Sequence, residues 1–181
     1  MRLWIVRHAK SDWTTAGQSD FDRPLNARGR RDGPQMADWL AGQDLPATWV
    51  WSSPAQRATE TAGYVAAGFE AARPEVITDL RLYLADAEQL LDVLRETPAE
   101  VAAAAVVAHN PGLTELVNAL VGRPLLDNLP TFGVAVFAVD PPWLDLGRPG
   151  RHARLLDLMT PKRLAARADG VSVLPQPAAE R

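Results

Sequence analysis

The sequence predicts an α/β fold, a three-layer α/β/α sandwich around a mostly parallel sheet. Short apolar or β-branched runs alternate along the chain with longer segments that have the periodicity of amphipathic helices. Several of these runs lack the polar alternation of half-exposed strands, which is typical of strands buried on both faces of a parallel sheet. From the length of 181 residues, we expect one domain over residues 1–168 and a poorly packed tail over 169–181.

The N-terminal region predicts a strand, a long loop and a helix. Leu3 to Val6 is an apolar run and predicts the first strand. The polar, turn-rich stretch from Ala9 to Arg31 predicts a surface loop, and loops of this length in a compact domain are usually functional. Asn26 is expected to cap a helix that runs to about Ala41.

Two further strand and helix units follow. Thr48 to Trp51 is β-branched and aromatic and predicts a strand. Ser53-Pro54-Ala55-Gln56 predicts a helix start, with serine at the N-cap, proline at the first helical position and glutamine completing a capping box. Val76 to Thr78 predicts a third strand, and Ala87 to Thr97 predicts a helix.

The C-terminal part of the predicted domain begins with an ambiguous run. Val101 to Ala108 is wholly apolar, so periodicity alone permits a buried helix or a buried strand. Its length and the Asn110-Pro111-Gly112 turn that follows favour a strand that leads into a helix ending near Val121. Thr131 to Val139 and Arg154 to Leu158 predict two more strands, as neighbours near one edge of the sheet.

Composition and charge exclude several classes of function. Lys and Arg number 19 against 22 Asp and Glu, so the net charge of −3 provides no general attraction to nucleic acid or anionic lipid. The absence of cysteine excludes disulfides, a thiolate nucleophile and cysteine-based metal sites. The N-terminal residues resemble no signal peptide and no span reaches the roughly 20 apolar residues of a transmembrane helix, so we expect a cytoplasmic protein. The oligomeric state stays open.

Three predicted strands lead into residues that can bind an anion. Arg7 and His8 end the first strand, Arg57 lies one turn into the helix after the second, and His109 ends the Ala-rich strand. Because parallel strands bring their carboxyl ends to the same edge of a sheet, we expect these side chains to meet there. Each residue alone is typical of a structural histidine or a surface arginine, but their joint placement indicates a site.

These residue types suit a phosphoryl group. Arginine binds phosphate oxygens bidentately, and the helices expected after Ser53 and Asn110 add backbone donors at their N-termini. An imidazole can attack phosphorus and hold the phosphoryl group covalently, while arginines and a second imidazole stabilise the charge on its oxygens. Histidines with carboxylates could instead bind zinc, but the neighbouring arginines would repel a dication. We therefore expect no metal and no other cofactor.

The same segments carry a resemblance to a known family. Three motifs resemble those of the histidine phosphatase superfamily: Arg7-His8-Ala9-Lys10-Ser11, the run from Ser53 to Ala62, and Val107-Ala108-His109-Asn110. The short chain and the segment from Asp20 to Leu25 resemble the SixA-type phosphohistidine phosphatases within it. The likeness spans roughly residues 1–158 and implies a phosphoglycerate-mutase-like fold.

The resemblance also implies roles for individual residues. His8 resembles the nucleophile that becomes phosphorylated, and Arg7, Arg57 and His109 resemble the groups that hold the phosphate. Arg23 resembles an additional arginine of the SixA-type pocket.

The general acid stays open between three carboxylates. In the wider family a carboxylate after the third strand protonates the leaving group, and Asp79 occupies about that place. Asp20 in the long loop is the alternative acid, and Asp86 is a third candidate.

The resemblance implies a phosphatase that forms a phosphohistidine intermediate, and its substrate has several alternatives. The segment from Tyr64 to Asp79 is too short for the lid of sugar-phosphate mutases, so an open pocket favours a phosphorylated protein, with protein phosphohistidine as the preferred substrate. One alternative is a phosphomonoesterase or mutase that acts on a small phosphate ester. The other alternative is a catalytically idle phosphate-binding module. Trp13 is expected to border the pocket.

Overall fold

A single six-stranded sheet forms the centre of the protein. The computed structural model describes residues 1–13 and 17–168, so the tail expected over 169–181 lies outside the described residues. The strands are β1 (Arg2–Arg7), β2 (Trp49–Ser52), β3 (Glu75–Thr78), β4 (Ala103–Ala108), β5 (Val134–Val139) and β6 (Ala153–Met159). Their order is β3-β2-β4-β1-β5-β6. The first four strands run parallel, and β5 and β6 add an antiparallel edge.

Helices cover both faces of this sheet. They are α1 (Ala27–Ala41), α2 (Gln56–Gly68), α3 (Ala87–Arg95), α4 (Gly112–Val121) and α5 (Pro161–Ala168). Helices α1, α2 and α5 pack together on one face, and α3 and α4 pack together on the other. Each face has its own apolar core, which confirms the predicted three-layer sandwich. None of the helices in the described ranges is long and apolar enough to cross a membrane.

The Ala-rich run is a central strand, as its length predicted. β4 lies between β1 and β2, and all six of its residues are buried. Small side chains suit this position because both faces of the strand are covered by packed layers. The register pairs Arg7 with Ala108 and Ser52 with Val107. The residues that follow β1, β2 and β4 therefore emerge at one edge of the sheet.

Helix α1 fixes the loop that follows β1. The Asn26 side chain accepts a hydrogen bond from the Gly29 amide, which confirms the predicted N-cap. A Cβ atom at Gly29 would lie 2.3 Å from the carbonyl oxygen of Lys10, so only glycine permits this close approach. The helix begins at Ala27, and the predicted loop is therefore shorter than the stretch from Ala9 to Arg31.

One local prediction was wrong, and one helix was not predicted. Helix α2 begins at Gln56 rather than at Pro54, and its N-cap residue is Ala55, which makes no side-chain capping bond. The hydroxyl of Ser53 is used in a tertiary hydrogen bond instead, as described below. The helix that was not predicted is α5, whose polar sequence gave no strong helical signal. Leu164 packs it against the core, next to α1.

Candidate active site

A cavity of about 250 Å³ opens at the edge of the sheet where β1, β2 and β4 end. Half of its lining residues are basic or histidine, and among the described residues that line it Asp20 is the one carboxylate. The lining residues are Arg7, His8, Lys10, Ser11, Trp13, Asp20, Arg23, Arg57, Leu84, His109, Asn110 and Thr131. The structure therefore brings together all five residues that the sequence predicted around a phosphoryl group.

His8 lies directly after β1 and is buried. Its Nδ1 atom is 2.8 Å from the carbonyl oxygen of Ala9, so Nδ1 carries the proton and Nε2 keeps a free electron pair. Arg57 donates from Nε to this Nε2 atom at 3.3 Å. Burial, together with the positive charges of Arg57 and Arg7, lowers the pKa of His8 to about 4. The ring is neutral at neutral pH, as a nucleophile must be.

His109 stands beside His8, with 5.1 Å between the ring centroids. Its Nε2 atom is 2.8 Å from the hydroxyl oxygen of Ser53, and its Nδ1 atom is 3.3 Å from Nη2 of Arg57. Burial is the main cause that lowers the pKa of His109 to about 3, followed by the charges of His8 and Arg57. The Tyr83 ring packs edge-on against this imidazole at 5.6 Å between centroids.

Two buried arginines converge on Asp20. Arg57 Nη2 donates to Asp20 Oδ2 at 2.8 Å, and Arg23 Nη2 lies 2.8 Å from Asp20 Oδ1. The Tyr83 hydroxyl also donates to Asp20 Oδ2 at 2.8 Å. Burial alone would raise the pKa of this carboxyl, but the Tyr83 hydrogen bond and the two arginines lower it to about 2. Asp20 is therefore a carboxylate at neutral pH.

Arg7 has a buried donor that no atom of residues 1–13 or 17–168 satisfies. Its Nη1 donates to the Leu129 carbonyl oxygen at 2.7 Å and to Asn128 Oδ1 at 3.3 Å. Its Nε, by contrast, is buried and has no hydrogen-bond partner in the described part of the chain. An unsatisfied buried donor costs about 1–3 kcal/mol, and a charged one more. A guanidinium with a spare donor at this cavity fits the binding of an anion.

The other two candidate acids lie elsewhere. The Asp79 carboxylate accepts from Arg81 Nε at 3.0 Å and from the Arg81 amide, so it holds the turn after β3. Asp86 caps α3 in a capping box with Gln89. Neither carboxylate lines the cavity. Of the three candidates, the structure brings only Asp20 to the site.

Sequence reasoning missed Ser53 and Tyr83 as parts of the site. Ser53 carried a strong capping signal, and the competing hydrogen bond to His109 depends on how β2 and β4 pair. Tyr83 had no signal at all, because its contacts to Asp20 and His109 join segments far apart in the chain. Within residues 1–13 and 17–168, no group of three or more acidic or histidine side chains is placed to hold a metal ion.

Comparisons with known proteins agree with this geometry. The model of the histidine phosphatase superfamily (branch 1) matches residues 3–83. An uncharacterized protein of Mycobacterium leprae is 31% identical over 152 residues, which cover 78% of this chain and 91% of that protein. A SixA protein from Agrobacterium tumefaciens, assigned as a phosphohistidine phosphatase, matches with 27% identity and a TM-score of 0.75 over 88% of this chain and 97% of that one.

A second solved structure gives the same result. The protein histidine phosphatase SixA in complex with tungstate matches with 26% identity and a TM-score of 0.71, over 91% of this chain and 99% of that one. The six-stranded sheet with five helices is the phosphoglycerate-mutase-like fold of these SixA neighbours. The chain therefore belongs to the histidine phosphatase superfamily and is SixA-like.

Proposed function

We propose that this protein is a metal-independent phosphatase that hydrolyses protein phosphohistidine through a phosphorylated His8. One observation supports this substrate above the others: the carboxylate that lines the cavity, Asp20, has a pKa of about 2 and cannot serve as a proton donor near neutral pH. The site thus favours a leaving group that needs no acid from the enzyme.

In the first step His8 Nε2 attacks phosphorus. The new N–P bond forms as the P–N bond of the substrate phosphohistidine breaks, and the substrate imidazole leaves. This imidazole takes a proton from water on its other ring nitrogen, so it departs as a neutral ring. The hydroxide that is left takes a proton from the H₂PO₄⁻ released in the second step, which gives HPO₄²⁻ and water. An alkoxide leaving group has no such second site, and an ester would need an acid at the cavity.

The buried cations hold the phosphoryl group during this transfer. We assign Arg7, Arg23 and Arg57 to its oxygens, because all three guanidinium groups line the cavity and suit the binding of phosphate oxygens. His109 faces the same space beside His8, oriented through Ser53. Preorganised donors of this kind act where charge develops in the transition state, and removal of one typically costs about 10²–10³ in rate.

In the second step water replaces His8 on phosphorus. The N–P bond of phosphorylated His8 breaks, the water oxygen bonds to phosphorus, and the two water protons leave with the product as H₂PO₄⁻. His8 returns to its starting tautomer because the Ala9 carbonyl holds the Nδ1 proton throughout. The cycle requires only water and the substrate.

Relatives and the shape of the cavity support the same substrate class. The two SixA proteins are described as phosphohistidine or protein histidine phosphatases, and this chain covers nearly all of each. The cavity is small and lies at the sheet edge, with its outer wall formed by exposed side chains such as Lys10 and Trp13. A phosphorylated side chain on a protein surface can reach such a site. A cytoplasmic location stays a prediction.

A substrate panel tests the proposal. We would compare kcat/KM of the purified protein, in EDTA, for a phosphohistidine peptide, p-nitrophenyl phosphate and a phosphoserine peptide. We expect the phosphohistidine peptide to be preferred. Preference for the two esters would indicate a phosphomonoesterase, and phosphopeptide binding without turnover of any substrate would indicate a phosphate-binding module.

A further inference from the structure

Two large apolar side chains are exposed at the mouth of the cavity. Trp13 is 71% exposed and Leu84 is 58% exposed, yet both line the same space as His8 and the arginines. Single exposed apolar residues are normal on protein surfaces. A pair that borders a strongly basic cavity is different, because the carbon surface of these side chains attracts an apolar or aromatic group rather than a phosphoryl group.

The indole of Trp13 lies against the Arg23 side chain on one face. The guanidinium carbon of Arg23 lies 3.3 Å from the centroid of the indole. Arg23 is itself fixed, since it donates to Ser11 Oγ at 2.9 Å and to Asp20 Oδ1 at 3.0 Å. With one face on this guanidinium and 71% of its surface exposed, the indole presents an open aromatic surface at the cavity.

Leu84 is held in a costly backbone conformation. Its φ of +54° lies in the left-handed region, which a branched residue other than glycine adopts only with strain. The strain places an aliphatic side chain at the cavity rather than in the core. Strained residues of this kind cluster at ligand-binding positions.

We propose that Trp13 and Leu84 form an apolar clamp that binds the imidazole ring of the substrate phosphohistidine. This inference rests on the proposed function and names the residues that recognise the leaving group. An imidazole is flat and aromatic, so it stacks on the open indole while its phosphoryl group lies among the arginines.

A comparison of two P–N substrates tests the clamp. Phosphoramidate has the same P–N bond as phosphohistidine but no ring, so it cannot use an aromatic surface. In Trp13→Ala we expect kcat/KM for a phosphohistidine peptide to fall about tenfold more than kcat/KM for phosphoramidate. Leu84→Ala should show a smaller loss of the same kind, and Trp13→Phe should restore most of the peptide activity.

Leu80→Ala is the matched control, because Leu80 is 69% exposed but does not line the cavity. It should leave the ratio of the two substrates unchanged. Equal losses on both substrates in Trp13→Ala would overturn the clamp and show that the indole acts only through Arg23. An unchanged peptide rate in Trp13→Ala would overturn it as well.

The wild-type protein separates this inference from the proposed function. If it hydrolyses the phosphohistidine peptide but the ratio does not change in Trp13→Ala, the function stands and the clamp is wrong. If it does not hydrolyse the peptide, the proposed function fails and the clamp falls with it.

Discussion

Two groups of arginine and histidine side chains line cavities in this protein, and they differ in burial. The first, here the site cluster, is Arg7, His8, Arg23, Arg57 and His109 around a cavity of about 250 Å³. The second, here the loop cluster, is Arg148, Arg151 and His152, which line a cavity of about 300 Å³ beyond β5. Four of the five residues in the site cluster are buried, whereas all three residues in the loop cluster are exposed.

The backbone explains the difference. The site cluster is supported by the ends of β1, β2 and β4, whose register places its residues at one covered edge. The loop cluster lies on a Pro- and Gly-rich connection between β5 and β6, where Asp145 pairs with both Arg148 and Arg151. Exposed ion pairs are worth about 0–1 kcal/mol and perturb their partners little. Burial, rather than residue type, gives the site cluster its chemistry.

Replacing one histidine from each cluster gives the largest contrast. His8→Ala removes the proposed nucleophile, so kcat should fall by at least about 10³, the scale seen when an enzyme loses its covalent nucleophile. His152→Ala is the control and should keep wild-type turnover. Circular dichroism of both variants would confirm that the fold is intact. Undiminished turnover in His8→Ala would contradict the assignment.

An arginine from each cluster should give the next largest difference. Arg57→Ala removes bonds to His8, His109 and Asp20, and we expect kcat/KM to fall about 100-fold, with weaker inhibition by vanadate. Arg151→Ala, which loses an exposed ion pair with Asp145 and a hydrogen bond to the Pro141 carbonyl oxygen, should leave both quantities unchanged. Similar vanadate inhibition in the two variants would remove Arg57 from the phosphate site.

The pH dependence of turnover tests burial directly. An ordinary imidazole with a pKa near 6.5 would be about 25-fold less available as a neutral nucleophile at pH 5 than at pH 7. Because burial lowers the pKa of His8 to about 4, kcat/KM should change little between pH 7 and pH 5 and fall near pH 4. An acid limb centred near pH 6.5 would contradict the assignment.

The same pKa shifts affect stability. Between pH 6.5 and about pH 4, the unfolded chain binds protons on His8 and His109 that the folded chain does not bind. The contribution of these two histidines to the free energy of unfolding should therefore be complete above pH 6.5. The free energy of unfolding should decrease as the pH falls through this window. Urea unfolding at several pH values measures this free energy, and in His8→Ala it should depend less strongly on pH.

The smallest effect is expected outside both clusters, at Asp79. Its carboxylate is bound to Arg81, and Arg81 also pairs with Glu96 at the surface. Asp79→Asn should keep wild-type kcat/KM on a phosphohistidine peptide and lower the free energy of unfolding by at most about 1 kcal/mol. A large loss of turnover would restore Asp79 as the general acid.

The sequence predicted which distant residues lie together in those cases where the order of the strands determines their positions. His8, His109 and Arg57 follow three strands that a parallel sheet brings to one edge, so motif order and apolar runs were sufficient. Residues whose position depends on loops were not predictable in this way. Nothing local in the sequence indicates that Tyr83 reaches Asp20, or that Leu84 adopts a positive φ at the cavity.

Ser53 shows a different kind of failure. The capping pattern around it was correct as a local preference, but the hydroxyl bonds to His109 and the helix starts three residues later. A tertiary hydrogen bond in a buried site outweighs a helix cap, because the alternative is an unsatisfied buried imidazole N–H.

Trapping the phosphoenzyme tests the central claim most directly. The protein would be mixed with a phosphohistidine peptide, quenched within milliseconds at alkaline pH, where phosphohistidine survives, and digested for mass spectrometry. We predict an acid-labile phosphoryl group on the peptide that contains His8, which accumulates and then decays as inorganic phosphate appears. Turnover with no phosphorylated protein, or with the phosphoryl group on any residue other than His8, would contradict the account.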